Sequence, residues 1–273
     1  MGRNESVARF YDQNPENEWM RLFRSPYRRL EFEVVHHFLT HYITKPSHIV
    51  DLGGGPGRYA LALAKMGHRV TLIDLSQGNL ALARRKIAGA GLHHAIDIVW
   101  GDDQALTGFE GGVFDAVLCM GPLYHLHHAR ERHRCLEQCL RVLKPGGPLF
   151  VTAYPRLSFL RDMVRAGQFA SSYHHNPSEF DAVMRQGYSE AFSLAKTYFC
   201  HVDELRSWLT ACHLEGIEIA STHGFVSFMD EQVNAIAADP EAWNVLIHWV
   251  LETCRDPHAL AMAEYWLAVG RKT

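Results

Sequence analysis

Ile49-Val50-Asp51-Leu52-Gly53-Gly54-Gly55-Pro56-Gly57-Arg58-Tyr59 runs from an apolar stretch through a glycine-rich turn into a helical pattern. A buried strand that ends this way lets a ligand approach the backbone closely, beside a helix N-terminus. The dinucleotide fingerprint G-x-G-x-x-G, started at Gly53, needs glycine at position 58, where Arg58 stands. No G-x-x-x-x-G-K-[ST] phosphate loop is present either. The strand end carries a carboxylate, Asp51, instead. That charge repels a pyrophosphate and suits a cationic amino-acid group.

Outward from this turn, short apolar runs recur at 47–52, 69–75, 96–100, 114–120 and 148–154. Helical stretches at 56–67, 77–91 and 129–143 lie between them, the last stopped by Lys144-Pro145-Gly146-Gly147. The alternation predicts right-handed βαβ units, a parallel sheet and helices on both faces. Upstream, the chain through Tyr42 reads as helix in two pieces. Ser25-Pro26 opens the second, which lines up Leu30, Val34, Phe38 and Tyr42. Downstream, 156–193 is rich in His, Ser, Asn and aromatics and reads as an inserted helical cap. A helix at 202–212 capped by Asp203 or its neighbour, a strand near 215–222, a helical excursion at 230–255 and a final strand at 264–271 complete the pattern. Analogy with other doubly wound sheets makes that final strand antiparallel.

A second acid, Asp74, closes Thr71-Leu72-Ile73-Asp74-Leu75-Ser76, where a carboxylate is placed to accept both hydroxyls of a ribose. Trp100-Gly101-Asp102-Asp103 ends the third strand, where a carboxylate accepts from an exocyclic amine. One acid at a strand end is ordinary loop polarity. Acids at three successive strand ends, beside a glycine turn, describe a nucleoside with a cationic tail and no phosphates.

Val50-Asp51-Leu52-Gly53-Gly54-Gly55-Pro56-Gly57, Asp74, Gly101-Asp102 and Leu143-Lys144-Pro145-Gly146-Gly147 together resemble class I S-adenosylmethionine-dependent methyltransferases, over about residues 47–154. The nucleic-acid amino type of that superfamily carries Asn/Asp-Pro-Pro-aromatic after the fourth strand. Here Met120-Gly121-Pro122-Leu123-Tyr124-His125-Leu126 stands instead, similar to the small-molecule type. That phrase, with Glu18-Trp19 and Arg21-Leu22 upstream and Tyr198-Phe199-Cys200-His201 downstream, resembles a large group of bacterial enzymes. The resemblance implies a doubly wound, seven-stranded, mostly parallel α/β sheet of the Rossmann-like methyltransferase kind with a helical lid and cap. It also implies S-adenosyl-L-methionine as cofactor. Asp51, Gly53, Gly54 and Gly55 would surround its methionine part, and Asp74 with Leu75 its ribose. Asp102 and the Asp103 amide would hold the adenine, and Met120-Gly121 would lie beneath the sulfonium. Gly54 and Pro56 depart from a turn often written with Cys or Ser. The expectation is one domain over 1–273: an N-terminal lid at 1–45, a cofactor-binding core at 46–154, a cap insertion at 155–200, and the rest of the sheet with its helical excursion at 201–273.

Methyl transfer from a sulfonium is an in-line displacement in which the donor's charge disperses, so alignment and dehydration matter more than strong charge stabilisation. Aromatic faces attract the sulfonium. Tyr11, Trp19, Tyr27, Tyr124 and Tyr173 are candidates, with Tyr124 at the carboxyl edge of the sheet. A nucleophile that must lose a proton calls for histidine. His125 comes first, then His201 and His223. Arg21 pairs with the methionine carboxylate or an acidic substrate, or else makes a surface ion pair with Glu18. The spacings of His125, His127, His128 and of His174-His175 match no zinc pattern, so no metal is expected. The same cradle serves methyl transfer to O, N or C, chemistry at the methionine Cγ that releases methylthioadenosine, or a cofactor-binding protein without turnover.

Composition narrows the partners. The 273 residues carry 27 Lys+Arg against 30 Asp+Glu, a net charge of −3 with no basic cluster, which argues against nucleic acid. No apolar run reaches the ~20 residues that span a bilayer. The charged opening segment is not expected to be a secretion signal, and Met1-Gly2 with Ser6 matches a myristoylation signal by chance. Six cysteines without a C-x-x-C pair suggest reduced thiols and a cytoplasmic protein. Cys135 and Cys139 share a helix face, and a metal role for them needs further ligands. A small-molecule substrate and a monomer or homodimer complete the expectation, and several of the 18 histidines fall in or near the cap.

Overall fold

The glycine-rich turn leaves β1 (His48–Leu52) at the centre of a sheet that also contains β2 (Arg69–Asp74), β3 (Ile96–Trp100), β4 (Ala116–Cys119) and β5 (Pro148–Pro155). The computed structural model describes residues 3–188 and 197–273. β6 (Phe199–Cys200), β7 (Leu214–Ser221) and β8 (Trp266–Lys272) complete it. The strand order is β3-β2-β1-β4-β5-β8-β7, with β6 pairing the end of β5 beside this path. β1 to β5 pair in parallel, and β8 runs antiparallel to both β5 and β7. The antiparallel last strand lies where analogy put it. β6, a two-residue strand, has too short an apolar pattern to be read from sequence.

The central strands are buried on both faces, which is why they read as apolar runs rather than as alternation. Their side chains still alternate between two cores. Ile49, Leu72, Leu118 and Phe150 pack on one side with Leu30, Val34 and Phe38 of the helix Pro26–Tyr42. Val50, Ile73, Val117 and Val151 pack on the other with Cys135, Leu136 and Cys139 of the helix Ala129–Val142. Ser25 starts Pro26–Tyr42 as expected, its Oγ accepting from the Arg28 N–H at 3.3 Å.

The opening segment departs from the two-piece reading. Pro15 divides its first half into helices Arg3–Asp12 and Pro15–Met20, because proline fits a first helical turn but not an interior. Helices Arg156–Arg165, Phe169–His175 and Pro177–Gln186 make up the described part of the cap, and residues 189–196 of the expected insertion lie outside the described residues. Val202–Ala211 is capped at His201 rather than Asp203. The His201 N–H donates to Glu204 Oε2 at 2.7 Å, and Asp203 sits inside the first turn.

Glu264, just ahead of β8, joins the N-terminal helices, the cap and the sheet. It accepts from the Tyr27 hydroxyl at 2.5 Å, Arg28 Nη1 at 2.5 Å and Arg165 Nη1 at 3.2 Å. Burial raises its carboxyl, but His223, Arg28, Tyr27 and Arg165 more than offset this and bring it to about 2. No described helix is long and apolar enough to cross a membrane.

Candidate active site

The turn after β1 closes on the loop after β4. Gly53 takes φ +72°, and a Cβ there would meet Pro122 Cδ at 2.7 Å. A Cβ on Gly121 would lie 2.9 Å from the Gly53 carbonyl oxygen. Only glycines let these backbones meet, so Met120-Gly121 becomes the floor beside the turn. At Gly54 the space a side chain would need is filled by the Asp51 carboxylate and Leu72.

Around this floor lies a cavity of about 1100 Å³ of open space, mouth included. Its wall includes Asp51, Gly53, Gly54, Gly55, Asp74, Leu75, Asp102, Asp103, Met120 and Gly121. Tyr11, Arg21, Tyr124 and His125 line it too. Asp74 is held from both sides: the Gly55 N–H donates to its Oδ2 and the Ser76 N–H to its Oδ1, each at 2.8 Å. Burial raises its carboxyl to about 6 against those bonds. Burial pushes Asp51 further, to about 7, and the charge of Asp74 adds to the shift while a bond from the Ala60 N–H opposes it. On the third strand end, Asp102 Oδ1 accepts from the Gln104 N–H at 2.9 Å, and burial raises Asp103 to about 6.

Two buried acids side by side are costly unless a cation or hydroxyl donors meet them. Four buried polar atoms of the residues lining the cavity lack a hydrogen-bond partner: Asp51 Oδ2, Asn79 Oδ1, the Tyr59 hydroxyl and Arg58 Nε. Orphaned acceptors beside a raised pair of carboxyls fit an amino-acid ammonium and ribose hydroxyls, and fit poorly with phosphate. S-adenosylmethionine meets that donor set.

The N-terminal helices roof the cavity through three attachments to the rest of the protein and one brace of their own. Asp12 Oδ1 accepts from the Ser76 hydroxyl at 2.7 Å and the Gly78 N–H at 2.8 Å, at the start of the helix Gln77–Gly89. The Tyr11 hydroxyl and His125 Nε2 share a hydrogen bond of 3.1 Å. Arg21 donates to Glu18 Oε1 at 2.9 Å and to both oxygens of buried Glu31, at 3.0 and 2.8 Å. Its charge is thus met within the protein by both the surface pair expected with Glu18 and a second acid that spacing did not reveal. Arg58, the residue that broke the dinucleotide fingerprint, lies over Trp19 with Cζ 3.5 Å from the ring centroid, and its Nη2 donates to the Trp19 carbonyl.

This last clamp is testable. Arg58→Ala removes a cation–π contact and a hydrogen bond, together about 1–3 kcal/mol. Amide hydrogen exchange over residues 15–23 is expected to quicken by at least tenfold, with the sheet unaffected. Exchange unchanged in that segment would show that Arg58 does not hold the roof.

Of the other sequence candidates, His201 is not brought to the cavity, because it is spent at the exposed start of Val202–Ala211. Tyr27 and His223 stack at 4.6 Å beside Glu264. Tyr173 is exposed on the cap. The sequence reading missed Glu18, Tyr59, Ser76 and Asn79 as lining residues. Ser76 left a visible trace, since it caps Gln77–Gly89 by accepting from the Asn79 N–H at 3.0 Å.

Residues 49–147 match a family model described as a methyltransferase domain. Over 108 residues the chain is 39% identical to the ubiquinone biosynthesis O-methyltransferase of Methylocella silvestris, covering 40% of each chain. Over 175 residues it is 27% identical to the ubiquinone/menaquinone biosynthesis C-methyltransferase UbiE of Enterobacter sp., covering 62% of this chain and 67% of that one. The chain therefore spans well under half the length of the first relative and about two thirds of the second. Among solved structures it is similar to the 1,6-didemethyltoxoflavin-N1-methyltransferase of Burkholderia thailandensis, with a TM-score of 0.54 and 17% identity over 99% of this chain and 87% of that one. At that identity the likeness speaks for the fold alone. Residues 49–147, which hold the glycine-rich turn and the acidic strand ends, thus match a methyltransferase domain, set in a sheet of order β3-β2-β1-β4-β5-β8-β7.

Proposed function

We propose that the chain moves a methyl group from S-adenosylmethionine to an O, N or C nucleophile of a small-molecule metabolite, as one domain over residues 1–273. The observation that carries this reading is the pair of buried, raised acids, Asp51 and Asp74, at adjacent strand ends beside an orphaned acceptor oxygen. When bound, the cofactor supplies an electrophilic methyl on a sulfonium. Asp51 with Gly53, Gly54 and Gly55 holds its amino-acid part, and Asp74 with Leu75 the ribose. Asp102 and Asp103 hold the adenine, and Met120-Gly121 supports the sulfonium. The Tyr11–His125 pair and Arg21, braced by Glu18 and Glu31, close the roof and exclude water.

Tyr124 lines the cavity, and its ring lies 5.0 Å from Tyr154 and 6.0 Å from Tyr265, an aromatic cluster at that wall. His125, bonded to the Tyr11 hydroxyl, takes the acceptor's proton where one must leave. The relatives named for quinone biosynthesis support a small organic acceptor. The balanced charge supports a chain that acts without nucleic acid. The cysteine pattern supports the cytoplasm, and we read the active unit as a monomer or homodimer.

The test is product analysis by mass spectrometry after incubation with S-adenosylmethionine and a panel of phenols, amines and quinone precursors. S-adenosylhomocysteine together with an acceptor heavier by one methyl group is expected. Methylthioadenosine in its place would overturn methyl transfer.

A further inference from the structure

Behind the floor of the cavity, on the opposite core of the sheet, three thiols meet. Cys119 ends β4, one residue before Met120, and Cys135 and Cys139 face it from the helix Ala129–Val142. All three are fully buried, and their sulfurs lie within 4.8 Å of one another, with Cys119 and Cys135 at 3.8 Å. This is the single grouping of three or more such ligands found among the described residues. The helical pair left a metal role waiting for another ligand, and β4 provides it.

We propose that Cys119, Cys135 and Cys139 form a closed three-sulfur site for one soft, thiophilic d10 cation. The spacing agrees with that use. With metal–sulfur bonds of about 2.3 Å, sulfurs around one ion stand about 3.8–4.0 Å apart in tetrahedral or trigonal arrangement. Thiolates without imidazole or oxygen ligands select soft ions over Mg²⁺ or Ca²⁺.

A divalent ion forms three metal–sulfur bonds as three S–H bonds break, and the three protons pass to solvent with no change of oxidation state. Because all three ligands are fully buried, the ion's role is bracing. It ties the end of β4, and hence Met120-Gly121, to the helix behind it.

Cadmium(II) serves as the probe. The full chain, reduced with a phosphine, is loaded with Cd²⁺, desalted and assayed for bound metal and for thiolate-to-metal charge-transfer absorption. One ion per chain is expected, with more than a tenfold loss of retention in Cys135→Ser and in Cys139→Ser. Cys254→Ser, buried elsewhere, should retain it fully. X-ray absorption at the cadmium edge of the wild-type chain should show three sulfur neighbours, a reading that stands even if a serine variant fails to fold. No retained cadmium, a shell of oxygen or nitrogen, or retention unchanged in the Cys135→Ser/Cys139→Ser double variant overturns the site.

Discussion

Asp74→Ala is expected to raise the dissociation constant for S-adenosylmethionine by about 100-fold or more. A carboxylate that accepts from two ribose hydroxyls makes two charge-assisted bonds, each contributing about 1.5–3 kcal/mol. The change also frees the Gly55 and Ser76 N–H groups, which loosens the turn. Titration calorimetry reads the effect directly, and an unchanged affinity would remove Asp74 from the ribose site. Wild-type binding should itself depend on pH. Asp51 and Asp74 titrate near 7 and 6 because they are buried. A cationic ligand favours their ionised forms, so binding expels protons. Affinity is expected to be level above about pH 8 and to weaken as pH falls through 7 and then 6, by up to about tenfold per unit for each group. The sign for the ligand-free fold is opposite. Both carboxyls lie above their ordinary 3.8, so their ionisation costs stability above pH 7, and that cost is relieved on acidification.

Glu264→Ala should be the most destabilising single change outside the apolar cores. Glu264 is 12% exposed and meets Arg28, Arg165 and Tyr27. Removing it leaves two guanidinium groups and a hydroxyl around an empty position, a loss of about 3–5 kcal/mol for a buried pair broken from one side. Its pH signature is distinct from that of Asp51 and Asp74. The folded value near 2 lies below the ordinary 4.5, so the stabilisation is complete above pH 4.5 and is lost as pH falls from there toward 2. The shift corresponds to roughly 3 kcal/mol by linkage. Denaturant midpoints measured at pH 7 and pH 3 should differ much more in wild type than in Glu264→Ala. Equal pH dependence in the two would show that Glu264 is not the acid-sensitive hub.

The lining of the cavity at the strand ends was legible because each of its parts is written within a few residues of a strand end. A glycine run, an acid after an apolar run and a serine cap all report local geometry. Elements with no local signature stayed hidden. Glu31 sits on a helical face that reads as charged and exposed, and only the fold brings it under Arg21. Glu264 gathers arginines more than ninety residues away, and no sequence spacing announces that meeting. Cys119 is likewise separated from Cys135 by a turn, a loop and the start of a helix. His201 misled for the converse reason. It falls in a motif similar to one in known enzymes, yet its backbone is committed to starting a helix. Arg58 carried both kinds of signal, excluding a dinucleotide turn by its identity while its partner Trp19 emerged only from the packing.

The decisive measurement is a crystal structure with S-adenosylhomocysteine bound. The ribose hydroxyls are expected on the Asp74 carboxylate, the amino group beside Asp51 Oδ2, and the adenine against Asp102 and the Asp103 N–H. A ligand bound elsewhere, or one whose ribose stands away from Asp74, would contradict that placement.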